Sequence, residues 1–128
     1  MIPVAVCEAA AAVWFHEPVI ILQAIAKAEG GWRGARIPDA NGTADHGLMQ
    51  INSVWRARLH AQGWRMHTVQ WHDCASVFVG AWILHQDIQA AHNFWMGVAW
   101  YQSRNLQYGL PFAETVHQDV KIIEQRGQ

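Results

Sequence analysis

A chain of 128 residues is long enough for one compact domain, read here as residues 1–128, and too short for two of ordinary size. Its 52 % hydrophobic content supports a packed core and argues against intrinsic disorder, while a net charge of −1 without a basic stripe excludes a surface built for nucleic acid. The apolar runs Val19–Ile25 and Val77–Leu84 fall short of the roughly 18–20 residues that span a bilayer, so both read as buried helix segments.

Hydrophobic periodicity predicts helices along most of the chain. A first short helix covers about Cys7–His16. Pro18 opens a second at its first position, where a missing N–H costs nothing, and Gly30-Gly31 closes it. Between Gly30 and Asn52 the pattern breaks into Gly, Pro, Asp and Asn, and Asn41-Gly42 is a turn signal fit for a small hairpin. Ser53 is placed to cap a helix running to Gln62, with Gly63 beyond its end. Asp73 is placed to cap a long helix to about Ala91, with Val77, Ala81, Leu84 and Ile88 as its stripe. Phe94–Ser103 forms a further helix, and Pro111 precedes the last, whose Val116, Val120 and Ile123 face inward. The fold class is therefore all-α with one irregular, hairpin-bearing insert.

Two cysteines, Cys7 and Cys74, read either as one long-range disulfide or as two separate buried thiols. A disulfide would place the protein in an oxidising compartment. Met1–Val6 is too short, and lacks the positive flank, to be a signal peptide, so an extracytoplasmic protein of this sequence is expected to have shed its leader.

Glu29 is the most informative residue. At about 100° per residue it falls roughly 20° from Leu22 and 40° from Ile25, within the apolar face those residues form with Ala26. Burial and the negative end of a helix both raise a carboxyl pKa, the condition a general acid needs near neutral pH. The alternative is a frayed helix end whose carboxylate points to water. The segment Asp45–Asn52, DHGLMQIN, adds neutral amides suited to sugar hydroxyls and acetamido groups: Gln50 offers a donor and an acceptor, and Gly47 allows backbone to approach a ligand. Asp39 and Asp45 are the obvious second carboxylates. Asp45, two residues before Gly47, reads as a turn residue or as a holder of water beside Glu29.

AIAKAEGG at Ala24–Gly31 followed by NGTADHGLMQINSVW at Asn41–Trp55 resembles the lysozyme-like lytic transglycosylases. The likeness is strongest to the small single-domain members that accompany secretion systems, conjugation machinery and pili. It continues through DCASVFVGAWIL at Asp73–Leu84 and AWYQS at Ala99–Ser103, and spans about Cys7 to Arg104. The resemblance implies a lysozyme-like α+β fold, periplasmic or otherwise extracytoplasmic, with the insert lining a substrate groove. It implies Glu29 as the catalytic acid/base, Gln50 beside it, and Tyr101 facing it across the cleft. Gly47, Leu48 and Met49 become the groove floor, Asn52 a further substrate contact, and Cys7–Cys74 a disulfide. The implied reaction cuts the bond between N-acetylmuramic acid and N-acetylglucosamine in peptidoglycan, without metal or organic cofactor, and leaves a 1,6-anhydro ring. A hydrolytic muramidase and a silent peptidoglycan-binding scaffold are the alternatives. The implied partners are glycan strands and components of a secretion, conjugation or pilus apparatus; nothing demands more than a monomer. The chain departs from the family at Gly30, where serine usually follows the glutamate, and at Gln102, where asparagine or histidine is common.

Trp32, Trp55 and Trp100 lie beside these motifs and are candidates for sugar stacking or for core packing; Trp14 and Trp82 lie on helical stripes and read as core. Eight histidines include no pair at i, i+3 or i, i+4 spacing. His85 and His92 are seven apart and able to share a helix face, but satisfied or exposed histidines are the better reading.

Overall fold

The computed structural model describes residues 2–127. Among the described residues the chain forms seven α-helices, a 3₁₀ turn and a three-stranded antiparallel sheet, a mostly helical fold with one small β insert. The helix α1 (Val4–Phe15) starts three residues earlier than expected and ends where His16 takes a left-handed conformation, φ 56°. Pro18 caps α2 (Val19–Glu29), and Gly30 ends it at φ 64°, its N–H bonded to the Ala26 carbonyl. Glycine adopts that conformation without the penalty a Cβ incurs.

The insert is the anticipated hairpin extended by one strand. β1 (Arg36–Pro38) pairs with β2 (Ala44–His46), and β2 with β3 (Ile51–Asn52), all antiparallel. Asp39 N–H to the Thr43 carbonyl, 2.8 Å, closes the turn that carries Asn41 and Gly42.

The helix expected over Ser53–Gln62 divides into a 3₁₀ turn (Ser53–Trp55) and α3 (Arg56–Ala61). Asn52, not Ser53, caps it by accepting from Val54 N–H, because the Ser53 hydroxyl is already taken by Ala44 N–H, 3.1 Å. A short helix that periodicity did not reveal, α4 (Met66–Trp71), follows. The long helix α5 (Asp73–Ala91) begins at Asp73 itself, so Asp73 is its first residue and makes no capping bond. Asn93 caps α6 (Phe94–Gln102), and Asn105 caps α7 (Leu106–Arg126). The last helix therefore starts before Pro111, which lies inside it on an exposed face. Proline there deletes one backbone bond, and the Thr115 hydroxyl bonds the Pro111 carbonyl, 3.1 Å.

Helix α5 packs on α1 and α6, α7 packs on α6 and α2, and α2 on α1. This ring encloses Leu22, Ile25, Val77, Leu84, Val98 and Val116, all fully buried. Val77, Ala81 and Leu84 of the expected α5 stripe are core, with Ile88 packed at its margin; Val116 is likewise core, with Val120 and Ile123 at its edge. A Cys7–Cys74 disulfide, Cα atoms 5.3 Å apart, joins α1 to the first turn of α5. Trp14 is not core: it is 74 % exposed at the last turn of α1, on the rim of a cavity it shares with Phe78 and Trp82 of α5. No described helix is long and apolar enough to cross a membrane.

Candidate active site

Glu29 is the last residue of α2, and its position is set by close packing just beyond it. A Cβ on Gly31 would lie 2.6 Å from the Leu48 carbonyl oxygen and nearer still to that of Gly47, so only glycine lets the end of α2 rest on the β2–β3 loop. That loop is itself pinned. Met49 N–H donates to the Ser76 hydroxyl on α5, 3.0 Å, and the Tyr101 hydroxyl on α6 donates to the Met49 carbonyl, 2.8 Å. Gly80 on α5 makes room for both partners, because a Cβ there would meet Met49 Cε at 2.8 Å and the Tyr101 hydroxyl at 3.1 Å.

The sheet presents two further carboxylates. Asp45 lies in the middle of β2, opposite Asn52, and Asp39 follows β1. The Asn52 side-chain amide donates to Asp39 Oδ2 at 2.9 Å, Thr43 Oγ1 at 2.9 Å and Asp45 Oδ1 at 3.0 Å. Asp45 is thus a strand residue held by an amide, not a turn residue bonding its own backbone.

These placements set the electrostatics. Burial, then the charges of Asp45 and Asp39, push the Glu29 carboxyl from the ordinary 4.5 up to about 8. Burial also raises Asp45, against the lowering effect of the Asn52 bond and with a further push from Asp39. Burial, then the charges of Glu29, Asp87 and Asp45, hold the Tyr101 hydroxyl well above its usual range. Tyr101 is therefore a permanent donor at physiological pH, and Glu29 is a carboxylic acid rather than a carboxylate.

The structure brings Glu29, Asp39, Asp45 and Tyr101 into one electrostatic neighbourhood beside the 47–50 loop. Gln50 sits there with a left-handed backbone, φ 54°, and its side-chain N–H donates to the Gly47 carbonyl, 2.9 Å; its amide oxygen is the group left for a ligand. Three residues also have structural roles that the sequence did not show. Asn52 spends its amide on the carboxylates and its oxygen on Val54 N–H, so it organises the acids rather than facing a ligand. Gly47 lacks a Cβ to accommodate α4, not a ligand: a Cβ there would stand 2.6 Å from the Val69 carbonyl oxygen. The Met49 side chain is 0 % exposed and packs into the core, while its backbone bonds Ser76 and Tyr101. Leu48 is half-buried against the core.

The tryptophans separate by environment. Trp32 is exposed next to Gly31. Trp55 meets Trp82 edge to face, centroids 5.6 Å apart, and the Arg58 guanidinium covers its ring at 4.8 Å. Arg104 covers Trp100 at 4.3 Å. His85 bonds Glu17 Oε2 through Nδ1, 2.7 Å, while His92 ends α5 with φ 53°, so the two share no helix face. Among the described residues no three His, Cys, Asp or Glu side chains converge as a metal site.

Sequence reasoning missed Asp87, 6 % exposed on α5 and pushed up to about 6 by burial against the opposing charges of Arg104 and Arg58. The signal was available: Asp87 is three and seven residues beyond Leu84 and Gly80, on the same helical face.

Fold and site together define a helical protein with a small acidic sheet set against a helix-terminal glutamic acid. No family model matches the chain. It is similar to Protein IpgF of Shigella flexneri, 28 % identical over 108 residues, covering 80 % of this chain and 71 % of that protein. Protein IpgF of Shigella sonnei matches with the same identity and coverage.

Proposed function

We propose that the chain is a peptidoglycan lytic transglycosylase of lysozyme-like fold, acting in the periplasm or another extracytoplasmic space, with Glu29 as its only acid/base. The observation that carries this reading is the Glu29 carboxyl raised to about 8 at the end of a helix, beside a loop with free amide acceptors. The disulfide supports an oxidising compartment. The order of the Ala24–Gly31, Asn41–Trp55, Asp73–Leu84 and Ala99–Ser103 motifs supports the family, and with it local opening of the wall for a secretion, conjugation or pilus apparatus.

In this mechanism the protonated Glu29 gives its proton to the glycosidic oxygen between N-acetylmuramic acid and N-acetylglucosamine as the C1–O bond breaks. The resulting carboxylate takes the proton of the muramic acid 6-hydroxyl, whose oxygen closes on C1 to form the 1,6-anhydro ring. Glu29 ends protonated, and no second carboxylate is consumed. Gln50 and the loop backbone would bind the glycan. Tyr101 would hold the loop in place through the Met49 carbonyl.

The Asp39–Asp45 pair favours one second reading, hydrolysis by a water held on the sheet. Mass spectrometry of the soluble products from purified sacculi distinguishes the two. Anhydromuropeptides that vanish with Glu29→Gln are the expected result. Reducing muropeptides that vanish with Asp45→Asn would instead establish a muramidase. Wild type and Glu29→Gln equally inert, with sacculus binding intact, would leave a binding scaffold.

A further inference from the structure

Helix α1 hides its one charged residue and shows its apolar ones. Glu8 is only 7 % exposed, whereas the outer face presents Ala5, Val6, Ala9, Ala10, Val13 and Trp14. Val13 is 77 % exposed and Trp14 74 %. A helix with one side on the core and the other in water carries its charges outward, so an apolar outer stripe marks a surface that something covers. A groove lies at the end of that stripe. Its cavity of about 560 Å³ is walled by Trp14, Phe15, Trp64, Phe78 and Trp82, with Gln62 its one polar residue. Glu29 and the residues of the acidic sheet are not among its walls.

We propose that this surface is the interface of a symmetric dimer, in which Trp14 of each chain enters the groove of a second copy. The surface is self-complementary. A projecting indole stands on the rim of a hollow wide enough to receive one, so a two-fold axis beside Trp14 fills both hollows at once. Neither the α1 face nor the groove wall holds a charged side chain that two copies would have to desolvate or oppose. The area also suffices. Covering the face and the groove takes roughly 600 Å² from each chain, or about 1,200 Å² in all, the lower end of what specific interfaces bury. An interface of that size with one aromatic anchor gives a dimer that dissociates on dilution, and its two-fold closure stops assembly at two chains.

Sedimentation velocity of the whole chain from about 2 to about 200 μM tests this. The mass is expected to rise from one chain, 14.5 kDa, to two and stop there. Raising the salt to about 1 M should not weaken the association, because no charge pairs hold it. Trp14→Glu and Val13→Glu each put a carboxylate into the apolar contact and should weaken association at least about tenfold. Both positions are exposed, so the variants should keep the wild-type urea midpoint. Leu110→Glu, at an exposed apolar position on α7 outside the face, should leave the association as in the wild type. A wild type that stays a single chain over the whole range overturns the dimer. So does a mass that climbs past two chains, which marks unspecific apolar association. A dimer that survives both α1 variants, or that Leu110→Glu dissolves equally, puts the contact elsewhere and overturns the assignment of this face.

Discussion

Replacing Glu29 by glutamine should stabilise the protein and, on the proposed reading, abolish glycan cleavage, and the two effects should follow one titration. In the unfolded chain the carboxyl titrates near 4.5; in the folded protein burial and two neighbouring aspartates move it to about 8. Because the folded pKa is the higher, the folded state binds the proton more tightly. Below pH 4.5 both states are protonated and Glu29 carries no penalty. As pH rises through the window from 4.5 to 8, the unfolded state ionises and the folded state does not, so stability falls by up to roughly 1.4 kcal/mol per pH unit. By pH 7 the penalty reaches about 3 kcal/mol, or about 2 kcal/mol after discounting for the solvent that reaches this half-buried group. Glutamine has the same shape and no titration. Urea unfolding of both proteins at pH 4, 5.5, 7 and 8 should therefore give curves that coincide at pH 4 and separate steadily above it, with the variant more stable. If the proposed cleavage is the chain's activity, its rate should fall as pH passes 8 and the acid form is lost, and the variant should retain no more than about 10⁻² of the rate. A stability difference that is constant from pH 4 to 8 would refute the buried-acid argument outright.

Three further outcomes are expected. Asn52→Ala leaves Asp39 and Asp45 without their shared donor, and should cost about 2 kcal/mol in urea titrations at pH 7; a midpoint unchanged from wild type would mean that the bridge adds nothing. Gly47→Ala meets the Val69 carbonyl at φ 74°, and Gly30→Ala meets nothing within 4 Å at φ 64°, so the first should cost at least about 3 kcal/mol and the second only about 1, measured side by side. Reduction of Cys7–Cys74, which closes a loop across a separation of 67 residues, should lower stability by about 4 kcal/mol in the chain-entropy model, seen as a drop in the urea midpoint on adding a phosphine reductant; an unchanged midpoint would show that the cross-link adds nothing.

An apolar stripe made α2 legible, while α5 and α6 were legible as long apolar runs bounded by polar turn residues, since much of their circumference is buried. The same logic exposed Glu29, an acid on a stripe. It failed for α4, since Met66–Trp71 is six residues long and has too few turns to display a period. It misplaced the start of α7 because Pro111 reads as a boundary; there an asparagine cap six residues upstream and a buried Phe112 and Val116 outweigh one missing backbone bond. The turn reading of Asp45 failed, and the bridging bonds of Asn52 went unseen, for another reason. Their roles arise from cross-strand pairing, and register is set by which loops close the strands, not by either residue's neighbours in the chain.

Three neighbouring acidic groups would ordinarily relax apart, so something must prevent it. Glu29 cannot swing into water by unwinding the last turn of α2, because Gly31 is already in contact with the 47–48 backbone. The loop cannot yield, because Ser76 and Tyr101 fasten Met49 from two different helices of the core. The aspartates cannot separate without breaking the Asn52 bridge. The restraints run back to α5, α6 and the sheet, and the disulfide fixes α5 to α1 at its first turn. The acids are thus held together by packing remote from them, and the perturbed acidity of Glu29 depends on that packing as well as on its neighbours Asp45 and Asp39.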